Sequence, residues 1–171
     1  MTTMRILFRK LPGPRHELSL VRPDGQRESA LFETRSTLLH DFIHYAVEGA
    51  AALESGFWGL LAAGRTLAEM NDRAGLPSPD EAAAMAIVER FVGALSGAGK
   101  GVPAAELVAA VARYAAGTGA RLPPWLTEPI VVEAQERLRR LVGAWQATPP
   151  GAAVELDWPP AAPPRVGETA R

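Results

Sequence analysis

Two of the three histidines in this chain lie four residues apart, at His40 and His44. Asp41 follows the first of them directly, and Glu48 stands four residues after the second. On an α-helix, a spacing of four residues places side chains on the same face, one turn apart. Two imidazoles in that arrangement are able to bind one divalent metal ion from a single rigid element. The sequence therefore predicts a metal site on this helix.

The segment His40-Asp41-Phe42-Ile43-His44 resembles the metal-binding helix of the zincin metallopeptidases, which carries the pattern H-E-x-x-H. By that resemblance His40 and His44 would be zinc ligands, and Asp41 would stand where the family's general base activates a zinc-bound water. Aspartate is one methylene shorter than glutamate, so its carboxylate reaches less far toward that water. The alternative role for Asp41 is to orient one of the histidines.

The third metal ligand has three candidates. Glu48 lies one further turn along the same helix. Glu69 belongs to the helix predicted next, and its place resembles that of the glutamate used by one branch of the zincins. His16 would come from a predicted strand; otherwise it is expected at the surface or at a sheet edge. The identity of the metal is also open, because histidine with carboxylate suits zinc, iron, nickel or manganese.

A longer likeness connects the histidine helix with the residues that follow it. The stretch from Leu39 to Glu48, together with Gly56-Phe57-Trp58-Gly59-Leu60, is similar to uncharacterised bacterial proteins. This likeness implies no activity. We predict that Phe57 and Trp58 pack in the core where two helices meet; the alternative is an aromatic wall over a substrate pocket.

Hydrophobic periodicity along the chain predicts an α+β fold. Strands are expected over residues 4–11, 16–21 and 27–33, forming a three-stranded antiparallel sheet with proline and glycine turns between them. About five helices follow, over residues 36–51, 60–73, 78–95 and 103–117 and after residue 129. The apolar side chains of the first helix lie opposite His40 and His44, so that apolar face is expected to lie on the sheet.

Capping residues and composition suggest where the elements and the domain end. Ser36 or Thr37 is expected to cap the histidine helix, and Ser78 to cap the third helix. With 171 residues the chain is about one domain long. We expect a single domain over residues 1–147 and a proline-rich, largely disordered tail over 148–171, in which 154–158 is able to dock as a short extended anchor.

Composition and charge exclude several classes of function. The net charge of −1 argues against a dedicated nucleic-acid binder. The absence of cysteine excludes disulfides, thiolate metal sites and cysteine nucleophiles. The glycine-rich segment 97–101 lacks the first glycine and the hydroxyl residue of a phosphate loop, so we interpret it as a linker. With no apolar run near the ~18 residues of a membrane span and no signal peptide pattern, a cytoplasmic protein is expected.

Two functional hypotheses follow from these features. The first is a small bacterial protein with a zincin-like site that binds zinc or another divalent metal; if catalytic, it would activate water against an amide or ester bond. The alternative is a non-catalytic helical protein without metal. Such a protein would present an apolar or aromatic surface, with Trp58 or Trp158 exposed, to a partner or to a second copy of itself as a homo-oligomer.

Overall fold

An antiparallel sheet and a layer of helices form the α+β fold of this protein. The structure is a computed structural model, and it describes residues 3–71, 79–96 and 101–167, with side chains in the middle helix described over 86–95. The sheet has five strands in the order β3-β2-β1-β4-β5, all neighbours antiparallel. The strands are β1 Met4–Lys10, β2 Arg15–Val21, β3 Arg27–Glu33, β4 Ala153–Trp158 and β5 Arg165–Gly167.

The N-terminal meander forms as the turn residues predict. In the turn between β2 and β3, Gly25 adopts a φ of +86° and its backbone N–H donates to the carbonyl of Arg22. The Asp24 carboxylate accepts a hydrogen bond from the backbone N–H of Gln26. Glycine is suited to a positive φ because it has no Cβ, and aspartate is suited to the turn because its short side chain bonds to nearby backbone.

The three predicted strands are present as β1, β2 and β3, but the sheet is larger than predicted because it continues with residues from the proline-rich C-terminal segment. Strand β4 pairs with β1, with Ile6 opposite Leu156, so 153–158 forms part of the sheet, and β5 then pairs with β4. Lys10 helps to direct the chain back: its Nζ donates to the carbonyls of Trp145 and Thr148, each at 2.7 Å, at the end of the last helix. The docking of 154–158 as a short extended anchor is thus confirmed, and it takes the form of backbone pairing with the central strand.

In the sequence, all the helices lie between β3 and β4. A π-helical turn, Thr34–Leu38, comes first. The α-helices are α1 Leu39–Ala50, α2 Phe57–Ala62, α3 Leu67–Asn71, α4 Pro79–Ser96, α5 Ala104–Thr118 and α6 Glu128–Ala147. None of the helices in the described residues has both the length and the apolar composition needed to cross a membrane.

Two of the predicted helix boundaries differ from the structure. The helix expected over 60–73 is two short helices, α2 and α3, separated near Gly64, whose φ is +107°. Ser36 and Thr37 do not cap α1; both hydroxyls instead donate backwards to the carbonyl of Glu33. This back-bonding accompanies the π-helical start. The predicted cap at Ser78 and most of the linker at 97–101 lie outside the described residues.

Helix α1 lies at the centre of the core. The Phe42 ring meets that of Phe8 on β1 edge-on, and the side chains of Ile43 and Val47 are also buried in the core. The packing prediction for Trp58 is confirmed, since this side chain is completely buried and its ring meets that of Phe8 edge-on. Trp158 is also buried. Neither tryptophan therefore offers the exposed surface that the alternative hypothesis requires.

Gly59 permits the close approach of α2 to the turn before it. A Cβ at this position would collide with the backbone carbonyl oxygen of Glu54, and a backbone atom cannot rotate away. We predict that Gly59→Ala lowers the free energy of unfolding by about 1–3 kcal/mol, the usual cost of overpacking. Urea denaturation measures this change.

The matched control is Gly143→Ala on α6, where a Cβ would meet nothing within 4 Å. Alanine is the better helix former, so this variant should be more stable than the wild type by up to about 1 kcal/mol. Equal effects of the two substitutions would contradict the packing argument for Gly59.

Candidate metal centre

The polar side of α1 faces other helices rather than open solvent. The side chain of His44 is 8% exposed and that of Glu48 is completely buried. Helices α2 and α4 pack against this side of α1, whereas its apolar side lies on the sheet. Because burial of polar groups is costly unless they find partners, the contacts of these two residues must satisfy them within the protein.

Glu48 is satisfied by three donors. Its Oε1 accepts hydrogen bonds from the backbone N–H of Phe57 and from Nδ1 of His44, each at 2.9 Å. Its Oε2 accepts a hydrogen bond of 2.9 Å from the backbone N–H of Trp58. These two backbone groups belong to the first turn of α2, so Glu48 caps that helix from outside it. Gly56 makes room for the carboxylate, because a Cβ there would collide with the Glu48 side chain.

Both histidines turn their Nε2 atoms toward Glu89 on α4. The distance from His44 Nε2 to Glu89 Oε1 is 2.9 Å, and that from His40 Nε2 to Glu89 Oε2 is 3.4 Å. The centroids of the two imidazole rings lie 4.6 Å apart. The Nδ1 atom of His40 lies 3.7 Å from Asp41 Oδ1, too far for a good hydrogen bond but close enough for an ion pair.

His40, His44 and Glu89 form a group that could hold a metal ion. One ligand atom from each residue can be chosen so that all three lie within 4.8 Å of one another. Nitrogen and carboxylate oxygen are donors that zinc and several other divalent ions accept. The His40 and Glu89 side chains are about half exposed, at 47% and 51%. An ion held between them would thus be accessible from solvent.

The charges of the group attract protons to the histidines when no metal competes. The carboxylates of Asp41 and Glu89 raise the pKa of His40 to about 9. For His44, burial lowers the pKa, but the hydrogen bonds and charges of Glu48 and Glu89 outweigh it and raise the pKa to about 9. The two histidines in turn hold the pKa of Glu89 far below its usual range. A metal must therefore displace protons to bind at neutral pH.

Only some of the site residues predicted from the sequence lie close together in the structure. His40 and His44 lie in one group, with Asp41 beside the first and Glu48 behind the second. Glu69 lies at the first turn of α3, outside this group, where its carboxylate accepts a hydrogen bond of 2.8 Å from the backbone N–H of Thr66.

His16 is also outside the group, and the expectation that it lies at the surface is wrong. Its side chain is completely buried among Phe8, Phe32 and Trp145, and its Nδ1 lies 3.2 Å from the hydroxyl of Thr34. Burial lowers the pKa of His16, so the neutral ring is favoured. The alternation of β2 places His16 on the same face as Leu18 and Leu20, which explains its burial.

Sequence reasoning missed Glu89. This residue belongs to α4, forty-five positions after His44 in the sequence, and is close to the buried Phe91. No local sequence motif distinguishes it. It meets the histidines only because α4 packs across α1. No protein-family model, curated protein or solved structure matches the chain. The zincin resemblance therefore stays a prediction.

The Glu48 carboxylate should be important for stability irrespective of metal. We predict that Glu48→Ala lowers the free energy of unfolding of the metal-free protein by about 3 kcal/mol, because the backbone N–H groups of Phe57 and Trp58 and the ring of His44 lose their acceptor. Urea denaturation in the presence of a chelator measures the effect.

The matched control for this prediction is Glu69→Ala, which removes a carboxylate that is exposed and bonds at the start of a short helix. Its cost should not exceed about 1 kcal/mol. If the two variants were equally stable, the assigned role of Glu48 would be wrong.

The raised pKa of His44 predicts a pH dependence of stability. The unfolded histidine has a pKa near 6.5, and the folded value is about 9, so stability contributed by the protonated ring is complete below about pH 6.5 and is lost as the pH rises through 9. We expect a loss of about 2 kcal/mol across this window, since the half-exposed Glu89 is partly screened by solvent.

Urea denaturation with chelator at both ends of this window measures the loss. The control is the double variant His40→Gln, His44→Gln, whose stability should vary much less with pH. An equal slope in the variant and the wild type would show that other groups cause the dependence.

Proposed function

We propose that this protein binds one divalent cation, zinc in the first instance, through His40, His44 and Glu89. The observation that carries the proposal is the convergence of both Nε2 atoms on one carboxylate that comes from a different helix. Two histidines at a four-residue spacing occur on many amphipathic helices. A third donor placed within 4.8 Å of both by tertiary packing is a stronger indication of a site.

The carboxylates behind the histidines support this proposal. Metal-binding histidines usually direct their second ring nitrogen to a carboxylate, a carbonyl or water, which fixes the tautomer and the ring orientation. Glu48 does this for His44 at 2.9 Å, and Asp41 lies 3.7 Å from Nδ1 of His40. Both Nε2 atoms are thereby directed toward Glu89. In this arrangement Glu48 orients a ligand and does not serve as one.

The reaction class that fits this donor set best is hydrolysis of an amide or ester bond. Three protein ligands with one open position are typical of catalytic zinc sites, whereas structural zinc sites have four. Zinc in such a site would act as a Lewis acid and would lower the pKa of a water molecule that it binds. Asp41 would orient His40, because its carboxylate lies on the Nδ1 side of that ring, away from the Nε2 atom that faces Glu89. This role differs from that of the general base in the zincins.

Zinc binding is tested by isothermal titration of the metal-free protein at about pH 8, where protons compete less with the metal. We expect one equivalent of zinc for the wild type. Glu89→Gln and His40→Ala should each weaken zinc binding by about a hundredfold, because each removes one of the three proposed ligands. Asp41→Asn should weaken binding by about tenfold, as expected for a residue that orients a ligand.

The matched control is Glu69→Gln, which removes an acidic charge from outside the group and should bind zinc as the wild type does. Wild-type protein that takes up no zinc, or a Glu89→Gln variant with unchanged affinity, would refute the proposal. The zinc-loaded protein and the Glu89→Gln variant are then compared on peptide and ester substrates. Hydrolysis by the wild type alone would support the catalytic assignment, whereas binding without hydrolysis would restrict the proposal to metal binding.

A further inference from the structure

Strand β3 is the long open edge of the sheet. It has seven residues and pairs on one side only, with β2, whereas the opposite edge is formed by the three-residue strand β5. An open edge presents unpaired backbone N–H and C=O groups to any other strand. No residue of β3 is fully buried, whereas β2 and β1 each contain three buried residues.

The side chains of β3 that point away from the helices are exposed. They are Arg27, Ser29, Leu31 and Glu33. Leu31 is 57% exposed, which is high for a large aliphatic side chain. Proteins usually protect a long edge strand with charges or by shortening it. On the outward face of β3 the charges stand at the two ends, and a serine and a leucine lie exposed between them.

Arg27 and Glu33 are the two charges at the ends of this outward face. Arg27 and Glu33 form no ion pair within the part of the chain that the structure describes. One oxygen of Glu33 accepts a hydrogen bond of 3.0 Å from the hydroxyl of Ser36. On β2, the residues opposite them in register are Val21 for Arg27 and Arg15 for Glu33.

We propose that two copies of this chain associate through β3, edge to edge and antiparallel, about a two-fold axis at Ala30. In that register Arg27 of each copy lies opposite Glu33 of the other, and Ser29 lies opposite Leu31. The two five-stranded sheets become one sheet of ten strands. The two-fold symmetry forms the ion pair twice, and a small residue stands at the axis, where the same side chain meets itself.

The charges also specify the register. A shift by two residues in either direction separates Arg27 from Glu33 in both copies, and a shift by one places inward side chains opposite outward ones. The arrangement with Ala30 on the axis is the one that pairs both charges. The surface lies at the sheet edge and shares no residue with the His40, His44 and Glu89 group, so this proposal does not depend on the proposed function.

Sedimentation equilibrium of the full chain over a range of concentrations tests the proposal. We expect a monomer–dimer equilibrium for the wild type. Arg27→Glu and Glu33→Arg should each weaken dimerisation by about tenfold, because two favourable cross-strand pairs become two repulsive ones. The double variant Arg27→Glu, Glu33→Arg should regain most of the lost affinity, because both pairs are restored with exchanged signs.

Arg139→Glu is the matched control. It makes the same charge change at an exposed position on α6 and should dimerise as the wild type does. Circular dichroism confirms that each variant is folded before it is compared. A wild type that stays monomeric at every concentration would overturn the proposal. A dimer that the single variants do not weaken, or that the double variant does not restore, would also overturn it.

Discussion

The buried carboxylate of Glu48 is the interaction on which the helical layer depends. A buried charge is tolerated only with several strong partners, and this one takes them from two helices: His44 on its own helix and the first two backbone N–H groups of α2. The same contact therefore determines where α2 begins, how α1 and α2 approach, and how His44 is rotated. Gly56 is required because the carboxylate occupies the space of a side chain.

The sheet holds the other side of α1 and thereby fixes the direction of its histidine face. The Phe42 ring packs edge-on against Phe8 of β1, and the hydroxyl of Tyr45 donates to the carbonyl of Asp157 on β4 at 2.8 Å. With both sides of the helix constrained, the imidazoles have little freedom to separate. In the proposed metal site, residues held in this way would bind an ion with a smaller entropic cost of ordering them first.

Local features of the fold could be predicted from the sequence, and contacts between distant segments could not. The meander and the histidine helix depend on turns and periodicity within a few residues, so their patterns are sufficient. Strand β4 reads as part of a proline-rich tail because its partner lies some 150 positions earlier. Glu89 belongs to no sequence motif. The spacing of Glu48 predicts a metal ligand, but spacing alone does not show that this side chain is buried and bonded to backbone N–H groups. The burial of His16 could have been read from the alternation of β2.

The position of β1 has a consequence for how the chain folds. This first strand becomes the middle of the sheet only when β4, near the other end of the chain, has joined it. During synthesis on the ribosome, the β4 side of β1 therefore stays unpaired until residues 153–158 have emerged. The long sequence separation of this strand pair raises the contact order of the fold, which slows folding and lengthens the time in which an unpaired strand is exposed to incorrect partners.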